Sequence, residues 1–338
     1  MGRRFETWGR VAACATSLGP MVAVASTVTT ASAASTRAGA SRPVARGIRG
    51  RPGRGGRGGA RRGIEVSTLH GAAETWGRSI LQTGARRGVA RYGGGVTVDP
   101  LPILRACARE VGDAVAGARH GGLSGARESQ YVIDVVADDV ATHILRSAGF
   151  RVISEESGVT GEGAYSVVVD PIDGSTNADR GIPFYSTSLA VMRGEELVAG
   201  LVMNHATGTC YEAQRGAGAT RDGVLIRSSA VTSMDRAVIA FSGLPSRHGG
   251  WAQFRALGAA SLEACLVADG SLDAFSVTRH TRLHPWDYLA GLLIAREAGA
   301  SDADYDGGDL VTSSMAPRRP VIAGTVALRD ALVGAGLP

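Results

Sequence analysis

Residues 165–169 read Tyr-Ser-Val-Val-Val and run straight into Asp170-Pro171-Ile172-Asp173-Gly174-Ser175-Thr176-Asn177. A β-branched run of this kind suits a strand buried on both faces. Proline fixes φ and lacks an N–H, so the strand must depart from its ladder at Pro171, leaving the Ile172 carbonyl without a ladder partner. Asp170 and Asp173 are then expected to point into one pocket. Carboxylate and carbonyl oxygens in that arrangement suit a hard divalent cation such as Mg²⁺. Gly174 permits close backbone approach to a ligand, and a helix opened by Ser175-Thr176-Asn177 would turn free N–H groups and the positive end of its dipole toward an anion. Asp, Pro and Gly also dominate ordinary polar turns, so this segment by itself leaves both readings open.

Periodicity in the rest of the chain decides the class of fold. Ile103, Leu104, Cys107 and Val111 recur at helical spacing and predict a helix over 101–115. Val132, Val136, Val140 and Ile144 predict a second apolar stripe within 130–148, with Gly149 as its stop. Strands are expected at 151–154, 165–169, 186–193, 197–203 and 209–213, and helices at 258–268 and 285–298. Interleaving of this kind points to an α/β (α+β) fold, a layered sandwich of alternating helices and sheets.

Charge separates the chain into two parts. The net charge of +5 averages residues 1–95, where 16 Arg face only Glu6, Glu65 and Glu74, with residues 96–338, where 20 Arg face 28 acidic residues. All the positive side chains are arginine. Residues 45–63, ARGIRGRPGRGGRGGARRG, cannot bury a core, so 1–95 is expected to be a disordered Arg/Gly-rich extension and 96–338 the folded domain. An Arg/Gly tract can bind nucleic acid through phosphate charge and guanidinium stacking, but this one lacks the aromatic residues that would strengthen the case. The basic start and the small residues Ala31-Ser32-Ala33 resemble a secretory signal, although Ser17, Gly19 and Pro20 interrupt its apolar stretch. A misplaced start upstream of Val96 would produce the same composition. No run approaches the ~18 apolar residues of a membrane span. A cytoplasmic location is expected, or secretion if the start is a true signal. Cys14, Cys107, Cys210 and Cys265 follow no zinc spacing and read as free thiols.

Further acidic residues fall at the ends of expected elements: Asp138 in Val135–Ala141, Glu155 in Ser154-Glu155-Glu156-Ser157, and Asp287 in His284-Pro285-Trp286-Asp287-Tyr288. Each has a bland alternative, a solvated pair for the glutamates and a helix-dipole preference for Asp287. Taken in order, EES, DPIDGSTN and PWDYLAGLLIAREAGA resemble the inositol monophosphatase family, and the likeness continues through residues 199–226 and 258–275. The resemblance implies a Mg²⁺-dependent phosphomonoesterase acting on a small phosphorylated substrate, with two or three ions. It assigns Glu155, Asp170 and the Ile172 carbonyl to the first metal and Asp170, Asp173 and Asp287 to the second. A third, weaker ion would lean on Glu155 and water. Asp138, with Asp139 as second choice, would orient the attacking water with the Ser175 hydroxyl, while the Gly174 and Ser175 N–H groups would hold the phosphate. A homodimer is also implied.

The chain departs from the family pattern in places. Ala178-Asp179 stand where an aromatic residue is usual, and the family's lysine ahead of the first aspartate has no counterpart, Arg127 being able to supply its charge but not its geometry. The ring-contacting glutamate is not evident ahead of Asp287. Arg279, His280 and Arg282 suggest instead a substrate with a second anionic group, and His284 reads as a cap for the following helix.

Overall fold

The computed structural model describes residues 89–92, 95–117, 121–127, 130–336 and 338. The signal-like start, the Arg/Gly tract and Cys14 lie outside them. The expected boundary at residue 96 falls inside a hairpin in which β1 (Val89–Tyr92) pairs antiparallel with β2 (Gly95–Val98).

The chain then builds alternating layers. Helices α1 (Leu101–Ala116) and α2 (Val132–Ser147) pack on one face of an eight-stranded sheet. In chain order that sheet comprises β3 (Arg151–Ser154), β4 (Gly158–Thr160), β5 (Ser166–Asp173), β6 (Ser186–Arg193), β7 (Glu196–Asn204), β8 (Cys210–Gln214), β9 (Ala219–Arg221) and β10 (Val224–Leu225). Its spatial order is β10-β9-β8-β7-β6-β5-β3-β4. The short helix α3 (Ser175–Arg180) follows β5. Helices α4 (Ala260–Ala268) and α5 (Pro285–Glu297) fill the space between this sheet and a five-stranded one. The second sheet comprises β11 (Val238–Ser242), β12 (Gln253–Arg255), β13 (Ala274–Val277), β14 (Ser301–Asp304) and β15 (Pro320–Ala323), in the order β12-β11-β13-β15-β14. Helix α6 (Val326–Ala335) covers its far face through Leu328 and Leu332.

The valine run of β5 shows why the expected sandwich forms. Val168 packs toward α4 and α5, whereas Val167 and Val169 pack toward α1 and α2, so a strand with apolar residues on both faces has helices on both sides. The helices buried between sheets are apolar nearly all round, as a middle layer requires. No helix among the described residues is long and apolar enough to cross a membrane.

The expected α2 stripe is corrected. Val132 is exposed, and the buried face is Ile133, Ala137, Ala141 and Leu145 together with Asp134 and Asp138. The small alanines let α2 lie close to its neighbours, and this rotation turns two carboxylates inward. The described cysteines are free, with Cys107 and Cys265 buried.

Candidate metal centre

Strand β3 ends opposite Val169 of the adjacent parallel β5, and the Glu155 N–H donates to Val169 O at 3.1 Å. The end of β3 therefore brings Glu155 beside Asp170, while β5 runs on to Asp173. The register between β5 and β6 shifts between Asp170 and Asp173, leaving Pro171 and Ile172 outside the pairing, as the proline predicts. Asp287 arrives from another layer, at the third position of α5, where its carboxylate accepts the His284 N–H at 2.7 Å. One oxygen each from Glu155, Asp170 and Asp287 lies within 4.8 Å of the others.

Asp173 takes a different position. Its carboxylate caps the start of α4, accepting the Ala260 N–H at 3.2 Å, the Ser261 N–H at 2.7 Å and the Ser261 hydroxyl at 2.5 Å. It stands beside the trio without being one of the three.

The electrostatics of these groups are strained. Burial, then the charges of Glu155, Asp173 and Asp287, hold Asp170 well above the usual carboxylate range. Burial, then Glu155 and Asp173, does the same to Asp287. Glu155 reaches solvent yet is hemmed in by protein, and burial followed by Glu156 and Asp173 lifts it to about 7. Burial lifts Asp173 to about 6 against the lowering effect of its Ser261 and Ala260 bonds. Asp170 Oδ1 is buried with no hydrogen-bond partner among the described residues. Clustered carboxylates with an orphaned oxygen suit a hard dication, which would offset both the mutual repulsion and the missing bond.

The water-orienting role assigned to Asp138 does not match its position. Asp138 accepts the Ser154 hydroxyl at 2.5 Å and the Thr142 hydroxyl at 3.3 Å. The partner of Ser175 is Asp134, one turn earlier, which also accepts the Tyr131 N–H at 2.7 Å. Burial is the main cause that lifts Asp134 to about 7. Asp139 is exposed on the far face. A carboxylate three residues after an N-cap position was the sequence signal that could have selected Asp134.

Gly174 opens α3 at φ 87°, and a Cβ there would meet Gly258 O at 3.0 Å and Phe184 O at 3.1 Å. Only glycine fits that backbone and space. Asn177 secures α3 by donating to Phe184 O and Leu257 O, each at 2.8 Å. Asp179, at the expected aromatic position, accepts the Gly122 N–H at 3.0 Å. Glu263 is a further buried acid that sequence reasoning missed. It accepts the Leu257 N–H at 2.7 Å, and burial lifts it to about 8. A charged residue within the apolar run of α4 was its signal.

Arg127 bridges to Glu156 at 3.3 Å, one residue away from Glu155. Arg282 pairs with Asp306 at 2.7 Å, so its charge is engaged at the surface, while Arg279 and His280 are exposed. His284 does not cap α5 with its side chain. Its ring stacks on Trp286 at 4.6 Å and its Nδ1 is buried without a partner, leaving Asp287 to cap the helix.

A cavity of about 460 Å³ adjoins Asp173 and Asp287, with Phe241, Leu244 and Leu283 on its walls and no basic residue among those lining it. A larger cavity of about 830 Å³ is lined by other residues, including Phe150, Tyr165 and Val198, and contains none of the candidate site residues.

The sequence profile described as the inositol monophosphatase family matches residues 102–334. The chain belongs to this family. It is 38% identical over 223 residues to a fructose-1,6-bisphosphatase/inositol-1-monophosphatase of Archaeoglobus fulgidus, covering 63% of this chain and 87% of the relative. It is 30% identical over 234 residues to the Nus factor SuhB of Salmonella typhimurium, covering 62% of this chain and 86% of that one. A solved Pyrococcus horikoshii structure, described as having similarities to inositol-1-monophosphatase, superposes with a TM-score of 0.61 at 28% identity, covering 69% of this chain and 97% of the other. The expected family, layered fold and phosphatase class are borne out.

Proposed function

We propose that this chain is a Mg²⁺-dependent phosphomonoesterase that hydrolyses a small phosphate ester with an uncharged leaving group. The observation that carries the reading is the convergence of Glu155, Asp170 and Asp287 within 4.8 Å, with a buried Asp170 oxygen lacking a partner. Glu155, Asp170 and the Ile172 carbonyl would hold one ion, and Asp170, Asp287 and Asp173 a second. A third would sit at the exposed edge by Glu155. Bound there, the cations supply Lewis acidity toward phosphoryl oxygens and make a water a better nucleophile.

The protein's own groups do the rest. Asp134 accepts a hydrogen bond from the Ser175 hydroxyl, which leaves the Ser175 oxygen as an acceptor that can orient the incoming water. The Gly174 and Ser175 N–H groups face the phosphate and offset charge that grows in transfer. The apolar wall of Phe241, Leu244 and Leu283 receives the leaving group. With no arginine on that wall and Arg282 engaged by Asp306, the site favours a neutral alcohol over the second anion that the loop charges suggest.

The test uses the full chain with Mg²⁺ on inositol monophosphate, fructose bisphosphate, histidinol phosphate and phosphoadenosine phosphate. Phosphate release that depends on Mg²⁺ is expected, with inositol monophosphate preferred over the bisphosphate. Release that survives chelation overturns the mechanism, and a preference for the bisphosphate overturns the leaving-group reading. Homodimerisation belongs to the same proposal and is checked by light scattering.

A regulatory reading is favoured by the similarity to a Nus factor and by the Arg/Gly tract at 45–63. Salt-dependent RNA binding that disappears when 45–63 is deleted, with no turnover on the panel, would select it.

A further inference from the structure

A short polar chain ends on the carbonyl of Pro171, the residue between Asp170 and Ile172. Thr187 on β6 is fully buried, and its hydroxyl donates to Pro171 O at 2.8 Å. The same hydroxyl lies 2.7 Å from His205 Nε2, just past the end of β7. A threonine hydroxyl has a single proton, and here it is spent on Pro171 O. His205 must therefore donate from Nε2, which places a ring proton on that nitrogen.

The far side of the ring explains a glycine. Gly112 sits inside α1, where glycine weakens a helix, yet a Cβ there would come within 2.6 Å of His205 Nδ1. The helix leaves room for this imidazole. Burial keeps His205 neutral, pushing it down to about 4.

Pro171 lies in the stretch of β5 that has no register partner in β6. Without the threonine, no ladder bond to β6 would orient its carbonyl. The threonine bond therefore anchors, from the β6 side, the bulge that lies between Asp170 and Asp173 and carries Ile172.

We propose that His205 and Thr187 are positioning residues for the metal centre, which tie down the Pro171 carbonyl and so fix the bulge that carries Ile172 and its flanking aspartates. This rests on the metal-dependent reading above. Nothing in it requires either residue to touch a metal or a substrate.

The experiment titrates the full chain with Mn²⁺ alone and follows the free-ion paramagnetic resonance signal, so no turnover is needed. Thr187→Val keeps the shape and deletes both bonds. It is expected to raise the Mn²⁺ dissociation constant about tenfold, in the range found for residues that orient metal ligands. His205→Leu should weaken binding by a similar factor. The double variant should be no worse than either single one, because the two act as one chain. Thr187→Ser, which keeps the hydroxyl, should restore binding.

A cooperative melt with wild-type Mn²⁺ affinity in Thr187→Val overturns the proposal. If that variant does not fold, wild-type affinity in His205→Leu overturns it equally. Additive losses in the double variant would also refute it. A wild-type chain that binds no Mn²⁺ overturns the metal-dependent reading itself, a different result from binding that is indifferent to these variants.

Discussion

Asp170→Asn should make the metal-free protein more stable while abolishing its function. Asparagine is nearly isosteric, so the buried space is conserved and the change is mainly electrostatic. Two unit charges at the 4.8 Å bound of the Glu155, Asp170 and Asp287 group repel by about 3.5 kcal/mol per pair at an effective dielectric of 20. Asp170 either keeps its charge against that repulsion or takes up a proton that the unfolded chain would have released at pH 8. Both outcomes cost free energy, and asparagine avoids both. Glu155 is exposed, so water screens that pair, and a net gain of roughly 2 kcal/mol is expected. For a domain of this size that is roughly 4–8 °C in melting temperature. Calorimetry in chelator at pH 8 should show the variant melting higher than the wild type. Added Mg²⁺ should then raise the wild type and leave the variant nearly unchanged. A variant that melts at or below the wild type in chelator would refute the claim that these carboxylates are held together at a cost.

Other tests use the same structure. Asp134→Asn should lower kcat at least about 100-fold by releasing Ser175, whereas Asp138→Asn, which loses only the Ser154 and Thr142 contacts, should keep most of its turnover; equal losses in steady-state kinetics would restore Asp138 to the role the resemblance gave it. Between pH 6.5 and 8 the metal-free chain should lose stability as pH rises. Asp134 and Glu263 have folded values raised to about 7 and about 8, so the stability they contribute is complete below their unfolded values and is lost as pH climbs through the folded ones. His205 is lowered to about 4 and acts in the opposite sense, but only between about 4 and 6.5, outside this window. A melting temperature that rises from pH 6.5 to 8 in chelator would contradict this sign. Gly174→Ala should be destabilised by about 1–3 kcal/mol, since its φ of 87° and the 3.0 Å approach to Gly258 O both exclude a Cβ; a wild-type denaturant midpoint would show that the loop can yield.

The linear sequence was sufficient to place Glu155 just past the end of a strand and Asp287 in the first turn of a helix, whereas β5 runs on past the expected stop at Asp170 to Asp173. Strand and helix termini carry local signals, such as a β-branched run stopped by proline or Pro285 at a first helical position. The same local chemistry predicted the departure from the ladder at Pro171 and the glycine at Gly174. Rotation of a helix about its axis is not local. The valine stripe of α2 matched helical spacing but lies at the edge of the buried face: Val140 and Ile144 are only partly buried and Val132 is exposed, while Ile133, Ala137, Ala141 and Leu145 are fully buried. That rotation, set by close packing across layers, gave Ser175 to Asp134 rather than Asp138. Asp173 followed the same rule, since its hydrogen-bond partners Ala260 and Ser261 lie far along the chain and meet it only when α4 docks. The sequence by itself determined which carboxylates occupy element ends and which class of cation suits them. Only the tertiary structure decided which of them face one another, because that depends on how side-chain volumes in adjacent layers interlock.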